Sequence, residues 1–220
     1  MPRPVKSGPV ESRRSYDASR RRAQARARRE AVLDGARDLF LRDGFTRTTV
    51  AAIATRAGVS QETVYKTFGG KTGLIEGLYR AALLGAGPTP AYERSERLRS
   101  EPDPHDVLRG WSRLAIEVGP RVTAIQLLVR DAAIVEPDLR HLLDELDADR
   151  LARMTENARF LESAGHLRPG LDLQQAADLM WAVTAPETIE LLVHRRAWSL
   201  ERYADFVYDT LASGLLRTTA

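Results

Sequence analysis

Residues 45–68 read FTRTTVAAIATRAGVSQETVYKTF. Val50, Ile53, Ala54 and Ala57 make a narrow apolar stripe, and Thr48 or Thr49 stands where a helix wants a hydroxyl cap. Gly58 stops that helix. Val59 turns inward, Ser60 caps a second short helix, and Glu62 suits the positive end of its dipole. Val64, Tyr65 and Phe68 form the next apolar face, closed by Gly69-Gly70. Two short helices around a glycine turn make a helix-turn-helix. The alanines let the helices approach closely. The second helix is too short to be stable alone, so neighbouring helices must hold it. Ser60, Gln61, Glu62 and Thr63 open the second helix with short or amide side chains that reach base edges in a major groove. Thr48, Thr49, Tyr65, Lys66 and Lys71 surround it with phosphate-capable donors. A plain helical hairpin has the same outline. What favours nucleic acid is the arginine-rich stretch ahead of it.

That stretch, RRRAQARARREAVLDGARDLF, begins at Arg20. Val32, Leu33, Ala36, Leu39 and Phe40 recur at helical spacing, and Asp43-Gly44 ends the helix with Phe45 packing back. Residues 1–15 hold three prolines and little apolar periodicity, so 1–22 reads as a disordered basic arm. Arg20, Arg21, Arg22, Arg26 and Arg28 are candidates for minor-groove or flanking phosphate contacts, or for a solvated tail. Residues 23–70 make the DNA-binding unit and 71–84 a linking helix with Leu74, Ile75, Leu78, Tyr79, Ala82 and Leu83 on one side. Residues 85–220 form a larger helical domain. Its proline-rich start, 85–104, is a hinge with a helical piece around 92–99.

The charge divides the same way. Residues 1–80 hold 17 Lys and Arg against 8 Asp and Glu, a net of +9, whereas the remainder carries 16 against 22, a net of −6. Such asymmetry points to a polyanionic partner for the N-terminal end only. There is no cysteine, which excludes disulfides and thiolate chemistry. No apolar run approaches the roughly 18 residues of a membrane span, and the N-terminus lacks a secretory apolar region. A cytoplasmic protein without membrane association is expected. His105, His141, His166 and His194 show no metal-ligand spacing, and no nucleotide-binding or nucleophile motif is present. Neither a cofactor, nor a metal, nor an enzyme is expected.

Everything after residue 104 reads as helix. Val107, Trp111, Leu114, Ala115 and Val118 form one stripe. Gly119-Pro120 should restart the chain before Val122, Ile125, Leu128, Val129 and Ala132. Pro137 opens a long leucine-striped helix with the acidic residues Asp144, Glu145, Asp147 and Asp149 on its polar side. Asp172 and Gln175 resemble a capping box for a helix through Trp181, kinked at Pro186. Ser199 caps the last helix, with Trp198 and Tyr203 placed as a hydrophobic staple. Trp111, Met154, Met180 and Trp181 either line a pocket or fill a plain core. Thr184 beside the Pro186 kink is a candidate polar contact. Thr188, Leu191 and Leu192, with Phe206, Val207, Thr210, Leu211 and Gly214, form stripes suited to a four-helix dimer interface or to the inside of one subunit.

Residues 44–71, GFTRTTVAAIATRAGVSQETVYKTFGGK, resemble the DNA-binding segment of the TetR/AcrR family of transcriptional repressors. Gly44-Phe45, Thr48-Thr49-Val50, Ile53-Ala54, Ala57-Gly58-Val59-Ser60, Thr63-Val64-Tyr65, Phe68 and Lys71 carry the likeness. The stretch 167–211 is similar to the C-terminal domain of one branch of that family. Thr67 departs from the His or Arg-like residue common there, and Gly69-Gly70 makes a looser turn. The resemblance implies an all-α fold, with a three-helix DNA-binding unit and a C-terminal domain for ligand binding and dimerisation. It also implies double-stranded operator DNA, a homodimer and a small-molecule effector as partners. It would place Ser60, Gln61, Glu62, Thr63 and Lys66 in the major groove, and Thr48, Thr49, Tyr65 and Lys71 at phosphates. The function implied is a repressor released by its ligand. An effector-independent DNA-binding protein is the alternative, followed by a helical enzyme that merely contains the hairpin.

Overall fold

The computed structural model describes residues 10–87 and 89–217, with side chains from residue 19. The described residues are helical throughout their regular parts: α1 (Val10–Asp43), α2 (Val50–Ala57), α3 (Gln61–Phe68), α4 (Lys71–Leu84), α5 (Ala91–Leu98), α6 (Pro104–Ala132), α7 (Pro137–Ser163), α8 (Leu173–Val183), α9 (Pro186–Ile189) and α10 (Leu200–Leu215). A π-helical turn, Glu190–Arg195, continues α9. The only extended pairing among the described residues is an isolated bridge between Leu167 and Leu216.

Where a structureless arm was the sequence expectation, α1 is already helical from Val10; residues 1–9 lie outside the described residues. The reason is local. From Val10 onward the segment lacks proline and is rich in Arg and Ala, both good helix formers. Residues 19–31 are exposed and the first core residue is Val32. Residues 19–31 therefore form an exposed rod about 20 Å long.

The turns that follow are set by hydroxyl caps and left-handed glycines. Gly44 (φ +80°) donates its N–H to the Phe40 carbonyl at 2.9 Å, and the Phe45 ring stacks on Phe40 with centroids 5.5 Å apart. Thr49 caps α2, accepting from the Ala52 N–H. Gly58 (φ +66°) closes it, and the Val59 N–H reaches the Ala54 carbonyl at 3.0 Å. Ser60 caps α3 through the Thr63 N–H at 3.2 Å. Only glycine adopts such turns without strain.

Two cores result. The first gathers α1–α4 and runs on through α4 into the C-terminal part of α6 and the start of α7, from Phe40, Ile53 and Val64 to Val129 and Leu139. The second joins the start of α6, the end of α7, and α8, α9 and α10 around Leu108, Leu161, Met180 and Tyr203.

In the larger domain the capping box of Asp172 and Gln175 is complete, and a short helix spans 91–98. Three details differ from expectation. α6 is continuous through Pro120. Its packing against α4, α5, α7, α9 and α10 holds both halves in line despite the missing N–H. Pro186 does not kink a long helix; α8 ends at Val183 and Pro186 opens α9 at its first turn, where a missing N–H costs nothing. Trp198 packs edge-on to Phe206 at 5.9 Å, while Tyr203 turns inward and donates its hydroxyl to the Val183 carbonyl at 2.8 Å.

The α4–α5 connection is tied down by Glu117 of α6. Its carboxylate accepts from the Arg94 guanidinium at 2.5 and 2.7 Å and from the Ala86 N–H at 2.6 Å. The Arg94 hydrogen bonds, foremost, hold the Glu117 carboxyl down at about 2 against an ordinary value of 4.5. A depressed carboxylate stabilises the fold above its unfolded value and loses that contribution as pH falls toward its folded value. Glu117→Gln should lower stability at pH 7 by about 1 kcal/mol, since the pair is partly exposed. In thermal melts the gap between the two proteins should close between pH 4.5 and about 2; a pH-independent gap would show the tether is not ionic.

Candidate nucleic-acid interface and internal cavity

α3 is fastened by its inner face. Val64 is fully buried, and Phe68 packs on the first core beneath the Arg29 guanidinium, 5.2 Å from the ring centroid. Gly77 of α4 sits under Phe68 so closely that a Cβ there would stand 3.0 Å from Leu33 Cδ2 and 3.2 Å from Phe68 Cε1. The outer face presents Gln61, Glu62, Tyr65 and Lys66 to solvent, with Tyr65 54% exposed. Ser60 and Thr63 share a hydroxyl–hydroxyl hydrogen bond of 2.9 Å at the helix start.

Of the expected phosphate donors, Thr49 is exposed at the N-terminus of α2. Lys71 has its Nζ on the Phe45 carbonyl at 2.9 Å and above the Phe45 ring at 4.1 Å, leaving two donor hydrogens. Thr48 is a correction. It is 3% exposed, and its hydroxyl is committed to the Gly44 carbonyl at 2.8 Å, with the Leu39 carbonyl at 3.2 Å. It secures the α1–α2 turn and has no donor left for DNA. Arg47, exposed in the same turn with its Nε on the Asp43 carbonyl at 2.8 Å, is absent from the sequence expectation; a lone loop cation gave no periodic signal.

Between the two cores lies a cavity of about 510 Å³. Trp111, Met154, Met180 and Thr184 line it. Trp111 Nε1 donates to the Ser95 carbonyl at 3.3 Å, and the Thr184 hydroxyl donates to the Met180 carbonyl at 2.8 Å. Trp181 is a correction: it is outside the lining, with its ring under the Arg150 guanidinium at 4.2 Å. The linking helix contributes Tyr79 and Leu83 to the wall. Burial raises the Tyr79 hydroxyl to about 12, so it stays a neutral donor. Arg150 and Arg153 also line the cavity. On a helix whose polar side is already crowded with charges, two further arginines read as surface in sequence, which hid them.

The expected dimer residues divide. Leu191 is 51% exposed, and Leu192, Phe206 and Thr210 are half-buried. Thr188 is half-buried, with its hydroxyl on the Ala182 carbonyl at 2.9 Å. Val207 and Leu211 are corrections. Each is 1% exposed and faces the cavity, because the stripe Tyr203, Val207, Leu211, Leu215 turns inward. Gly214 permits close approach within the subunit, since a Cβ there would run into Leu179 of α8.

The described residues contain no cluster of metal-ligating side chains, and no described helix is long and apolar enough to cross a membrane. A capped, glycine-turned helix pair with an exposed second helix, carried on a larger helical domain, defines a helix-turn-helix regulator. The family model "Bacterial regulatory proteins, tetR family" matches residues 32–78. Over 203 residues the chain is 27% identical to the HTH-type transcriptional regulator BetI 1 of Chromohalobacter salexigens, covering 87% of this chain and 90% of that protein. Over 49 residues it is 41% identical to the HTH-type transcriptional regulator AlkX of Mycobacterium tuberculosis, covering 22% and 23%. Among solved structures it is similar to the SmeT–triclosan complex, SmeT being the repressor of a Stenotrophomonas maltophilia multidrug efflux pump. The match has a TM-score of 0.69 and 25% identity over 86% of this chain and 92% of that one. A Saccharomonospora viridis regulator solved with choline shares the fold at TM-score 0.65 and 20% identity, over 86% and 98%. Residues 32–78 match the DNA-binding segment of the TetR family, and along most of its length the chain is similar to transcriptional regulators of that family.

Proposed function

We propose that this regulator is a homodimeric repressor released from its operator by a small molecule bound in the cavity of the larger domain. The observation that carries the reading is the double role of α4. Its Tyr79 and Leu83 wall the cavity, while its Leu74, Ile75 and Leu78 are buried in the core that holds the DNA-binding helices. A ligand that favours one position of α4 biases the orientation of α3, which is a population shift. Gln61, Glu62 and Lys66 are the candidate base-reading side chains; Thr49, Tyr65, Lys71 and Arg47 are the candidate phosphate contacts. Dimerisation uses the surface of Leu191, Leu192, Phe206 and Thr210, and two α3 helices one helical turn of DNA apart, about 34–36 Å, read a palindrome. Selection of bound sites from a random DNA pool, with sedimentation of the complex, tests this. A palindrome occupied by two chains is expected. A single asymmetric site bound by one chain would sink it. An effector-independent protein would have a filled interior, and the 510 Å³ cavity favours the liganded reading.

The helical N-terminal extension adds phosphate contacts in this reading, through Arg20, Arg22, Arg26 and Arg28. Each phosphate neutralised contributes about 0.9 to the slope of log affinity against log salt. Deleting residues 1–22 should flatten that slope by about 2 in operator titrations. An unchanged slope would assign the arginines to solvent.

A further inference from the structure

The cavity's charge is unbalanced in one place. Arg150 of α7 lies on its wall with its guanidinium over the Trp181 ring, its Nη1 donating to the Trp181 carbonyl at 2.5 Å. Its Nε is enclosed and has no hydrogen-bond partner. Asp147 and Glu187 act on it through space, but no carboxylate among the described residues reaches ion-pair distance. Asp147 instead accepts from Gln126 at 2.7 Å. Burial lowers the proton affinity of the Arg150 guanidinium, yet a guanidinium stays charged in proteins. One turn on, Arg153 also lines the cavity. It is held by Glu96 and by Glu156 at 2.9 Å and lies 3.8 Å from the Tyr92 ring centroid, with its Nη2 enclosed and unpartnered. The remaining carboxylates on the wall are accounted for: Glu156 is engaged by Arg153, and Asp149 is exposed.

A half-buried cation with an unmet donor is costly unless something anionic completes it. Most of the rest of the wall is apolar, with Trp111, Leu114, Val118, Met154 and Met180 supplying the body of the site beside the polar Tyr79, Ser95, Asn157 and Thr184. A cationic ligand is disfavoured because two guanidiniums, Arg150 and Arg153, already stand on the wall, and Arg153 covers the Tyr92 ring. We infer that the effector is an amphipathic carboxylic acid whose carboxylate is taken by Arg150, and whose apolar body lies against Trp111, Met154 and Met180. This rests on the effector-cavity reading above. A carboxylate completes what the structure leaves open, because it accepts two parallel N–H bonds from one guanidinium.

Three probes of matched chain and different head decide it: decanoate, decan-1-ol and decyltrimethylammonium, titrated by calorimetry below their micellar concentrations into the full-length protein and into Arg150→Met and Arg150→Lys. Decanoate should bind the wild-type protein at least about tenfold more tightly than decan-1-ol, which is 1.4 kcal/mol, with decyltrimethylammonium weakest. Arg150→Met should bring decanoate and decan-1-ol level, and Arg150→Lys should restore part of the preference. The wild-type comparison stands by itself if Arg150→Met does not fold. Equal or tighter binding of the alcohol or the ammonium compound overturns the inference, as does a carboxylate preference that survives Arg150→Met. If either of those compounds binds and frees operator DNA, the effector cavity stands and only the carboxylate assignment falls. If none of the three binds or frees operator, the cavity reading falls with it.

Discussion

Gly77→Leu should abolish specific operator binding, with affinity falling at least about tenfold, while Gly77→Ala should bind nearly as the wild type does. The position is buried beneath Phe68, and even a single added carbon would stand 3.0 Å from Leu33 Cδ2 and 3.2 Å from Phe68 Cε1. Those two side chains can yield the few tenths of an ångström that alanine asks. Alanine also removes the conformational cost of glycine inside a helix, about 1 kcal/mol. A leucine asks for three further carbons in a core without free volume, and overpacking of this kind typically costs 1–3 kcal/mol. The displaced group is Phe68, the last residue of α3, so the strain falls on the helix that faces DNA. Fluorescence titration with a selected operator, alongside thermal melts, separates the consequences. Weak binding by Gly77→Leu at a temperature where it remains folded shows that α3 has moved. Wild-type affinity in that variant would mean the Phe68 contact does not position α3.

The parts of this arrangement legible in the sequence are those with a local cause. Thr49, Ser60 and Ser199 act as caps because a hydroxyl before a helix accepts the orphan amides of its first turn. Gly44 and Gly58 turn because they alone take positive φ without strain. Periodicity also found Trp111, Met154 and Met180, three residues that line the cavity, whereas Thr184 lines it without the Pro186 kink that suggested it. Periodicity failed where two faces of one helix compete. α10 carries apolar residues on more than one side, and spacing does not say which side meets the same subunit. Val207 and Leu211 point in while Phe206 and Thr210 stay half-buried because of how α10 lies across α6 and α8, a non-local fact. Thr48 differs for a similar reason, since spacing does not show which of two adjacent threonines caps α2 and which turns in to the Gly44 carbonyl. Arg150 was hidden by its charge. Sequence patterning assigns arginine to solvent, whereas its long stem allows a guanidinium to sit on a ring at a cavity wall.

Leu78→Ala tests whether the two ends of the molecule are mechanically joined. Leu78 is fully buried in α4, within the core that also contains Phe40 and Ile53 of the DNA-binding helices and Val129 and Leu139 of the larger domain. Removing its side chain leaves a cavity among residues fixed on both sides, and such truncations cost about 2–5 kcal/mol. Because one cluster spans both ends, the loss cannot stay local. Hydrogen exchange should show lowered protection in α2 and α3 and, to a similar degree, in the last turns of α6 and the first of α7. Separate cores would confine the change to one end. The same truncation loosens the element that carries the ligand signal, so operator affinity should respond less to an effector than in the wild type. The coupling is reciprocal. The factor by which ligand weakens operator binding must equal the factor by which operator weakens ligand binding, and both should shrink together in Leu78→Ala. If the protein melts lower but keeps the full coupling factor, the signal does not pass through α4.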